Sequence, residues 1–264
     1  MAIALEQLQE KEAARLRLES GLQIARSVQQ SLYPGVAPVL GGATVSGRTS
    51  PARTIGGDLY DFFDLGREQI GIICADVSGK GIPAALMMAN LQAVARAHFD
   101  DRIDGPAAPP AHFVEILNQQ FAGRFGGNRY ASLFWAEYNA LSEVLTYVNA
   151  GHPSPIVSHS TGLIERLNSV GFPIGMFANA RYTATTLHMA PGSRLVIFTD
   201  GLTDAENAAE EEFGDERLIE CCRTIAAGID AKGVADGVMQ AVAEWSGGTE
   251  QFDDTTVIVL DVAT

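Results

Sequence analysis

Ala75-Asp-Val-Ser-Gly-Lys-Gly-Ile-Pro-Ala-Ala-Leu86 brings an apolar run, a carboxylate, a glycine turn and a helix start into one short stretch. Just before it, Ile70-Gly-Ile-Ile-Cys-Ala75 reads as a buried strand, which places Asp76 where that strand ends. Gly79-Lys-Gly81 breaks the strand, and Pro83, followed by Ala84, Ala85 and Leu86, opens a helix at the position that proline tolerates best. An acid held at so rigid a corner is suited to ligate a cation.

The surrounding chain has 264 residues, enough for one large single-core domain with an appendage. It is 47% hydrophobic and 19% charged, and no stretch approaches the roughly 18 consecutive apolar residues of a membrane span. The N-terminus Met1-Ala-Ile-Ala-Leu-Glu6 lacks the basic start and apolar core of a signal peptide, so the expectation is a cytoplasmic protein. Cys74, Cys221 and Cys222 form neither a disulfide framework nor a metal-binding CxxC pair. The net charge of −14 is concentrated at the C-terminal end, where residues 200–264 hold 16 acids against 3 bases. This balance argues against a nucleic-acid partner, which rewards basic faces. A solvated acidic face accounts for Glu210-Glu-Glu212.

Residues 1–32 contain no proline and one glycine, Gly21, and read as a long helix ending at Tyr33-Pro34. Its heptad phase is imperfect: Ala4, Lys11, Leu18, Ala25 and Leu32 fall at one position and Gln7, Ala14, Gly21 and Val28 at another. Self-pairing into a homodimer and packing on the following domain both fit. The expected division is a helical linker over 1–34 and a domain over 40–264. Strands are expected over Ala43–Ser50, Gly57–Leu65 and Gln69–Val77, then helices over Pro83–Phe99 and Pro110–Phe125 around a loop from Asp100 to Pro110. Two hairpins follow, Tyr130–Asn139 with Glu143–Asn149 and Pro155–Ser158 with Leu163–Leu167. Strands near Tyr182–Met189 and Arg194–Thr199, helices near Asp215–Ala227 and Ala231–Trp245, and a strand over Asp254–Leu260 complete the chain. Antiparallel-looking strands with helices in pairs predict a two-sheet core covered by helices, an α/β sandwich rather than a doubly wound sheet.

Four acids stand where an apolar strand meets a glycine or polar turn: Gly56-Gly-Asp58, Asp76 in Ala75-Asp-Val-Ser-Gly79, Thr199-Asp200-Gly201, and Asp253-Asp254-Thr255-Thr256. Hard divalent cations need several such oxygen donors to converge. Two ions roughly 3.5–4 Å apart would activate a bridging water and clamp a phosphoryl group. Each motif alone is an ordinary turn signal; the set carries more weight.

Taken in order, Gly56-Gly-Asp58-Leu-Tyr-Asp-Phe62, Ala75–Ala85, Asn149-Ala-Gly-His-Pro153, Pro173-Ile-Gly175, Phe198-Thr-Asp200-Gly-Leu-Thr-Asp-Ala205 and Asp253-Asp-Thr-Thr256 resemble the motif set of the SpoIIE/RsbU-type branch of the PP2C-like (PPM) serine/threonine phosphatases. The helix ending Ile24-Ala-Arg-Ser-Val-Gln-Gln-Ser-Leu-Tyr-Pro34 resembles the linker that joins such phosphatases to sensory modules. The resemblance implies an α+β fold of two mainly antiparallel sheets and two divalent cations, Mn²⁺ or Mg²⁺. Asp76 would bridge them with the backbone carbonyl of Val77, Asp200 and Asp253 would complete one shell, and Asp58 would hold the other ion; Asp254 is the weaker candidate of its pair. It further implies attack by a water held on the ions without a covalent phosphoenzyme. The cysteines agree, since none has the arginine six residues on that a cysteine phosphatase needs: Lys80, Ala227 and Gly228 stand there.

The implied substrate is a phosphorylated STAS-domain anti-anti-sigma factor in a partner-switching pathway, with an upstream sensory domain or protein acting through the N-terminal helix. Arg53 and Lys80 are candidate substrate contacts, each with a solvated surface role as the plain alternative. His152 reads first as a turn-fixing residue and second as a catalytic acid. Thr54 departs from the acidic or amide side chain frequent in relatives, which bears on substrate contacts and not on the metals. Two other functions compete. One is a catalytically silent module of the same fold that binds a regulatory partner. The other reads Gly56-Gly-Asp58 as a diguanylate cyclase turn, which leaves Thr199-Asp-Gly201 and Asp253-Asp-Thr-Thr256 unexplained.

Overall fold

A computed structural model of the chain describes residues 2–100, 108–124, 129–225 and 229–263. A long helix, α1 (Ala2–Gln30), leads into β1 (Ala43–Ser50), β2 (Asp58–Gly66) and β3 (Gln69–Val77). Helices α2 (Ile82–Asp100) and α3 (Pro110–Phe121) follow, then β4 (Ala131–Asn139), β5 (Val144–Ala150), β6 (Ile156–Ser158), β7 (Ile164–Arg166), β8 (Thr185–His188) and β9 (Arg194–Phe198). A single helical turn, α4 (Asp200–Thr203), precedes α5 (Gly214–Thr224), α6 (Ala231–Ser246) and the last strand, β10 (Thr255–Val262).

The strands form two five-stranded antiparallel sheets, ordered β1-β10-β9-β6-β7 and β2-β3-β4-β5-β8. Strand periodicity explains why β3 is apolar throughout instead of alternating. Ile70, Ile72 and Cys74 face the other sheet and pack with Ile197, Ile258 and Leu260. Ile73, Ala75 and Val77 face outward under α2 and α3, against Met88, Leu91, Phe113 and Leu117. Strand β10 is buried in the same way: its alternate residues Val257 and Val259 pack beneath α5 and α6 with Leu218, Val234 and Val238. Both sheets therefore carry helices on their outer faces, which is the expected α/β sandwich, with β10 inside its sheet between β1 and β9.

The two predicted hairpins form, β4 with β5 and β6 with β7. The strand expected over Tyr182–Met189 shortens to Thr185–His188, because only that segment pairs with β5. The helix expected over 1–32 stops at Gln30, and the turn that follows is closed by bonds from the Ser31 and Leu32 amides. The α4 turn was not anticipated, since Asp200-Gly201 reads as a loop in sequence. The expected helix ends at Phe125 and Ala227, and the expected loop across 101–107, lie outside the described residues. Among the described residues no helix is long and apolar enough to cross a membrane.

One buried charge ties a helix to the strand that matters most for the site. Asp61 of β2 is fully buried and accepts from Arg96 and from Gln92 Nε2 at 3.1 Å, both on α2. The Arg96 guanidinium also lies 4.8 Å from the centre of the Phe63 ring.

Candidate functional site

The period of two that builds the inter-sheet core also builds the site. Asp58 lies on the face that carries Tyr60 and Phe62 into that core, and Asp76 on the face of Ile72 and Cys74. Their strands pair in register, with Asp58 directly opposite Asp76. Ser132 lies opposite Asp76 on the other side. From the second sheet, Thr199 at the end of β9 and Thr256 on β10 meet Asp58 across the gap: its Oδ2 accepts from Thr199 Oγ1 at 2.8 Å and Thr256 Oγ1 at 2.6 Å. The acids thus collect at one end of the sandwich, where these bonds join the two sheets.

Glycines allow the loops to close there. A Cβ on Gly201 would lie 2.2 Å from the Asp254 carbonyl oxygen, and one on Gly56 would lie 2.3 Å from Asp254 Oδ2. A Cβ on Gly57 would meet the Val77 carbonyl oxygen at 3.0 Å, so the absent side chain lets the loop lie close against that oxygen. Asp254 is committed to this closure, its two oxygens accepting from the Ala52 amide at 2.8 Å and the Gly57 amide at 2.5 Å. Asp200 and Asp253 each take one local backbone amide, from Gly201 and Asp254, both at 2.9 Å. Gln251 Nε2 holds the Asp253 carbonyl at 2.7 Å and Thr255 Oγ1 at 2.6 Å.

The electrostatics are those of several carboxylates gathered around a single ammonium, Lys80. Burial, then the charges of Asp76 and Asp254, push Asp58 well above the usual carboxylate range, against the pull of its threonine hydrogen bonds. Burial pushes Asp76 up to about 7, with Asp200, Asp253 and Asp254 adding to the shift and Lys80 opposing it. Asp200 is raised for the same reasons, burial first and Asp253 second. As placed, no three His, Cys, Asp or Glu side chains among the described residues close on a common point tightly enough to hold an ion. The donor chemistry nevertheless fits a hard divalent cation. Asp58 Oδ1 is buried without a hydrogen-bond partner among the described residues, the Val77 carbonyl lies against Gly57, and the donors are all oxygens. A cation there would offset the burial and the mutual repulsion that raise these pKa values.

The remaining sequence-derived candidates divide. Lys80 is exposed in the turn, its ammonium 3.0 Å from Asp253 Oδ2 and 2.5 Å from the Phe252 carbonyl. Arg53 is exposed, with Nη1 3.8 Å from where a Cβ on Gly81 would lie. His152 is buried, its Nδ1 2.9 Å from Ser132 Oγ and its amide donating to Asn149 Oδ1 at 2.9 Å. Burial pulls its pKa down to about 3, so the ring is neutral near pH 7. Sequence reasoning gave no role to Thr199, Thr256 or Gln29. The threonines stood inside quoted motifs, and their pairing with Asp58 depends on strands far apart in the chain. Gln29 Nε2 donates to the Gly56 carbonyl at 2.7 Å, and the Gly56 amide donates back to Gln29 Oε1 at 3.0 Å.

The SpoIIE (Stage II sporulation protein E) family model matches residues 66–263, three quarters of the chain. The chain belongs to the SpoIIE family of PP2C-like phosphatases. It is 31% identical to Protein IcfG of Synechocystis sp. across 93% of its length, and spans only 41% of that relative. It is 28% identical to the phosphoserine phosphatase RsbU of Bacillus subtilis, with 92% of this chain and 70% of RsbU aligned. The SiaA-PP2C domain of Pseudomonas aeruginosa shares its fold, with a TM-score of 0.80, 20% identity, and coverage of 94% of this chain and 98% of that one.

Proposed function

We propose that this SpoIIE-family chain is a metal-dependent protein phosphatase that hydrolyses phosphoserine or phosphothreonine, with a phosphorylated STAS-domain protein of a partner-switching pathway as substrate. One observation carries the reading. Carboxylates from four separated segments gather at one end of the sandwich, with a buried oxygen of Asp58 unpartnered among the described residues. Family membership and the likeness to RsbU support the substrate class.

Asp58, Asp76, the Val77 carbonyl, Asp200 and Asp253 would hold two ions, Mn²⁺ or Mg²⁺. When bound, such ions lower the pKa of water and offset phosphoryl charge. The protein's own part is positional. Thr199 and Thr256 fix the Asp58 carboxylate by holding Oδ2 and turn Oδ1 toward the site. Asp254 pins the Gly56–Gly57 loop, and Lys80 restrains Asp253 beside it. Residues 40–264 form the catalytic domain in this reading. Residues 1–34 are the linker through which an upstream sensory domain acts, with pairing of two α1 helices as the route to a homodimer.

The test is hydrolysis of a phosphoserine peptide with Mn²⁺ or Mg²⁺, alongside Asp76→Asn and Asp200→Asn. Metal-dependent turnover in the wild type, lost by at least about a hundredfold in each variant, is expected. Turnover unaffected by the variants overturns the assigned site. An inert wild type that binds no Mn²⁺ by calorimetry but retains a partner favours the silent-module reading.

A further inference from the structure

With two ions held by the aspartates, the phosphoryl oxygens that face away from them still need hydrogen-bond donors to fix the group's orientation. Three cations stand around the Gly79-Lys80-Gly81 turn beside Asp76. Lys80 is occupied by Asp253 and the Phe252 carbonyl. The other two are guanidiniums that bracket the turn. The Ser78 amide donates to the Tyr130 carbonyl at 2.9 Å, and the Tyr130 amide to Ser78 Oγ at 3.0 Å, which extends the β3–β4 pairing one step past Val77 and Ala131. Arg129 is thereby carried alongside the turn, with Nη1 3.7 Å from where a Cβ on Gly79 would lie; Arg53 stands similarly at Gly81.

Among the described residues neither guanidinium has a hydrogen-bonding or ion-pair partner, in a chain with 32 acids against 18 bases. Other arginines partly buried in the fold pair, Arg48 with Asp236, Arg96 with Asp61 and Arg194 with Asp261, while exposed Arg17, Arg26 and Arg67 show no partner among the described residues. Gly79 and Tyr130, the neighbours of Arg129, line a cavity of about 560 Å³ together with Asp76, Ser132, His152 and Asp200. We propose that Arg129 is a substrate-binding residue which, opposite Arg53, receives the phosphoryl group at the mouth of this cavity. The proposal rests on the phosphatase reading above. A guanidinium offers paired N–H donors that match two phosphoryl oxygens, which a lysine cannot reproduce. Arg53 is visible beside a motif in the sequence, whereas Arg129 is separated from Gly79 by 50 residues and is placed there only by the sheet.

The experiment measures binding and turnover separately in the intact chain with Mn²⁺. Calorimetry with a phosphoserine peptide, and with the same peptide unphosphorylated, is run on wild type, Arg129→Gln, Arg129→Lys and Arg53→Gln, with circular dichroism to verify the fold. Expected are phosphate-dependent binding in the wild type, about tenfold or greater weakening in Arg129→Gln, and partial recovery in Arg129→Lys. In kinetics the loss should fall mainly on KM. Equal binding by wild type and Arg129→Gln, or no phosphate-dependent binding by wild type, overturns the proposal. Phosphate-dependent binding lost in Arg129→Gln, without turnover in the wild type, supports the anion site while the phosphatase reading fails.

Discussion

Asp58 has one oxygen satisfied by two threonines and the other bare, and the difference between those two atoms is what makes the acid cluster read as a site rather than a buried defect. His152 shows a different case, a titratable group held neutral by burial. Its pKa is about 3 in the folded chain against an ordinary 6.5, so the unfolded chain binds a proton more readily between those values. The stability that His152 contributes is present above about pH 6.5 and drains away as pH falls toward 3. Urea midpoints of wild type and His152→Asn should therefore differ in slope: between pH 7 and pH 5 the wild type should lose more than the variant. Parallel losses would show that the ring is not buried in its neutral form. The four metal-ligand candidates could be named from sequence because each stands at a strand boundary beside a turn residue. Their hydroxyl partners could not, because Thr199 and Thr256 look like ordinary strand-end threonines until β9 and β10 lie side by side.

Helix α1 does more than precede the domain. Gln29 makes two hydrogen bonds to the backbone of Gly56, and Tyr33 Oη donates to the Asp58 carbonyl at 2.8 Å. The C-terminal end of the linker thus holds the loop and strand that present Asp58. Further toward its N-terminus α1 leaves an apolar cavity of about 440 Å³ against α2, lined by Leu18, Leu22, Ala25, Ile82 and Leu86. The helix is therefore fastened at its site-proximal end and loosely packed above it. Gln29→Ala should cost about 1–3 kcal/mol in urea unfolding, since it removes both bonds and strands the Gly56 backbone groups. It should also weaken Mn²⁺ binding several-fold by calorimetry. An unchanged Mn²⁺ affinity would mean that α1 does not position Asp58. The sequence marks α1 as a linker by composition, but only packing shows which of its polar residues touches the site.

Across the whole molecule, helices on both outer faces leave the central strands such as β3 and β10 apolar on both sides, and the buried polar groups stand out against that background. The Asp61 carboxylate is fully buried beneath α2, with Arg96 and Gln92 as its partners. Removing one partner of a buried pair leaves a charge without compensation, at a cost of about 3–5 kcal/mol. Arg96 is about one-third exposed, so Arg96→Ala should fall toward the lower end, measured as a drop in urea midpoint. A change near zero would show that Gln92 and water suffice for Asp61. Because Asp61 lies three residues beyond Asp58 on β2, the same variant should reduce Mn²⁺ affinity in parallel.

The two-sheet architecture, most element boundaries and the acids at turns were legible in the sequence, because strand periodicity, proline and glycine act locally and leave a local record. Four further features were decided only in three dimensions: the register that sets Asp58 against Asp76, the capture of Lys80 by Asp253, the hold of Gln29 on Gly56, and the arrival of Arg129 beside Gly79. Each joins segments distant in the chain through hydrogen bonds or charge. Such contacts depend on which strands become neighbours, and residue order alone does not encode that adjacency.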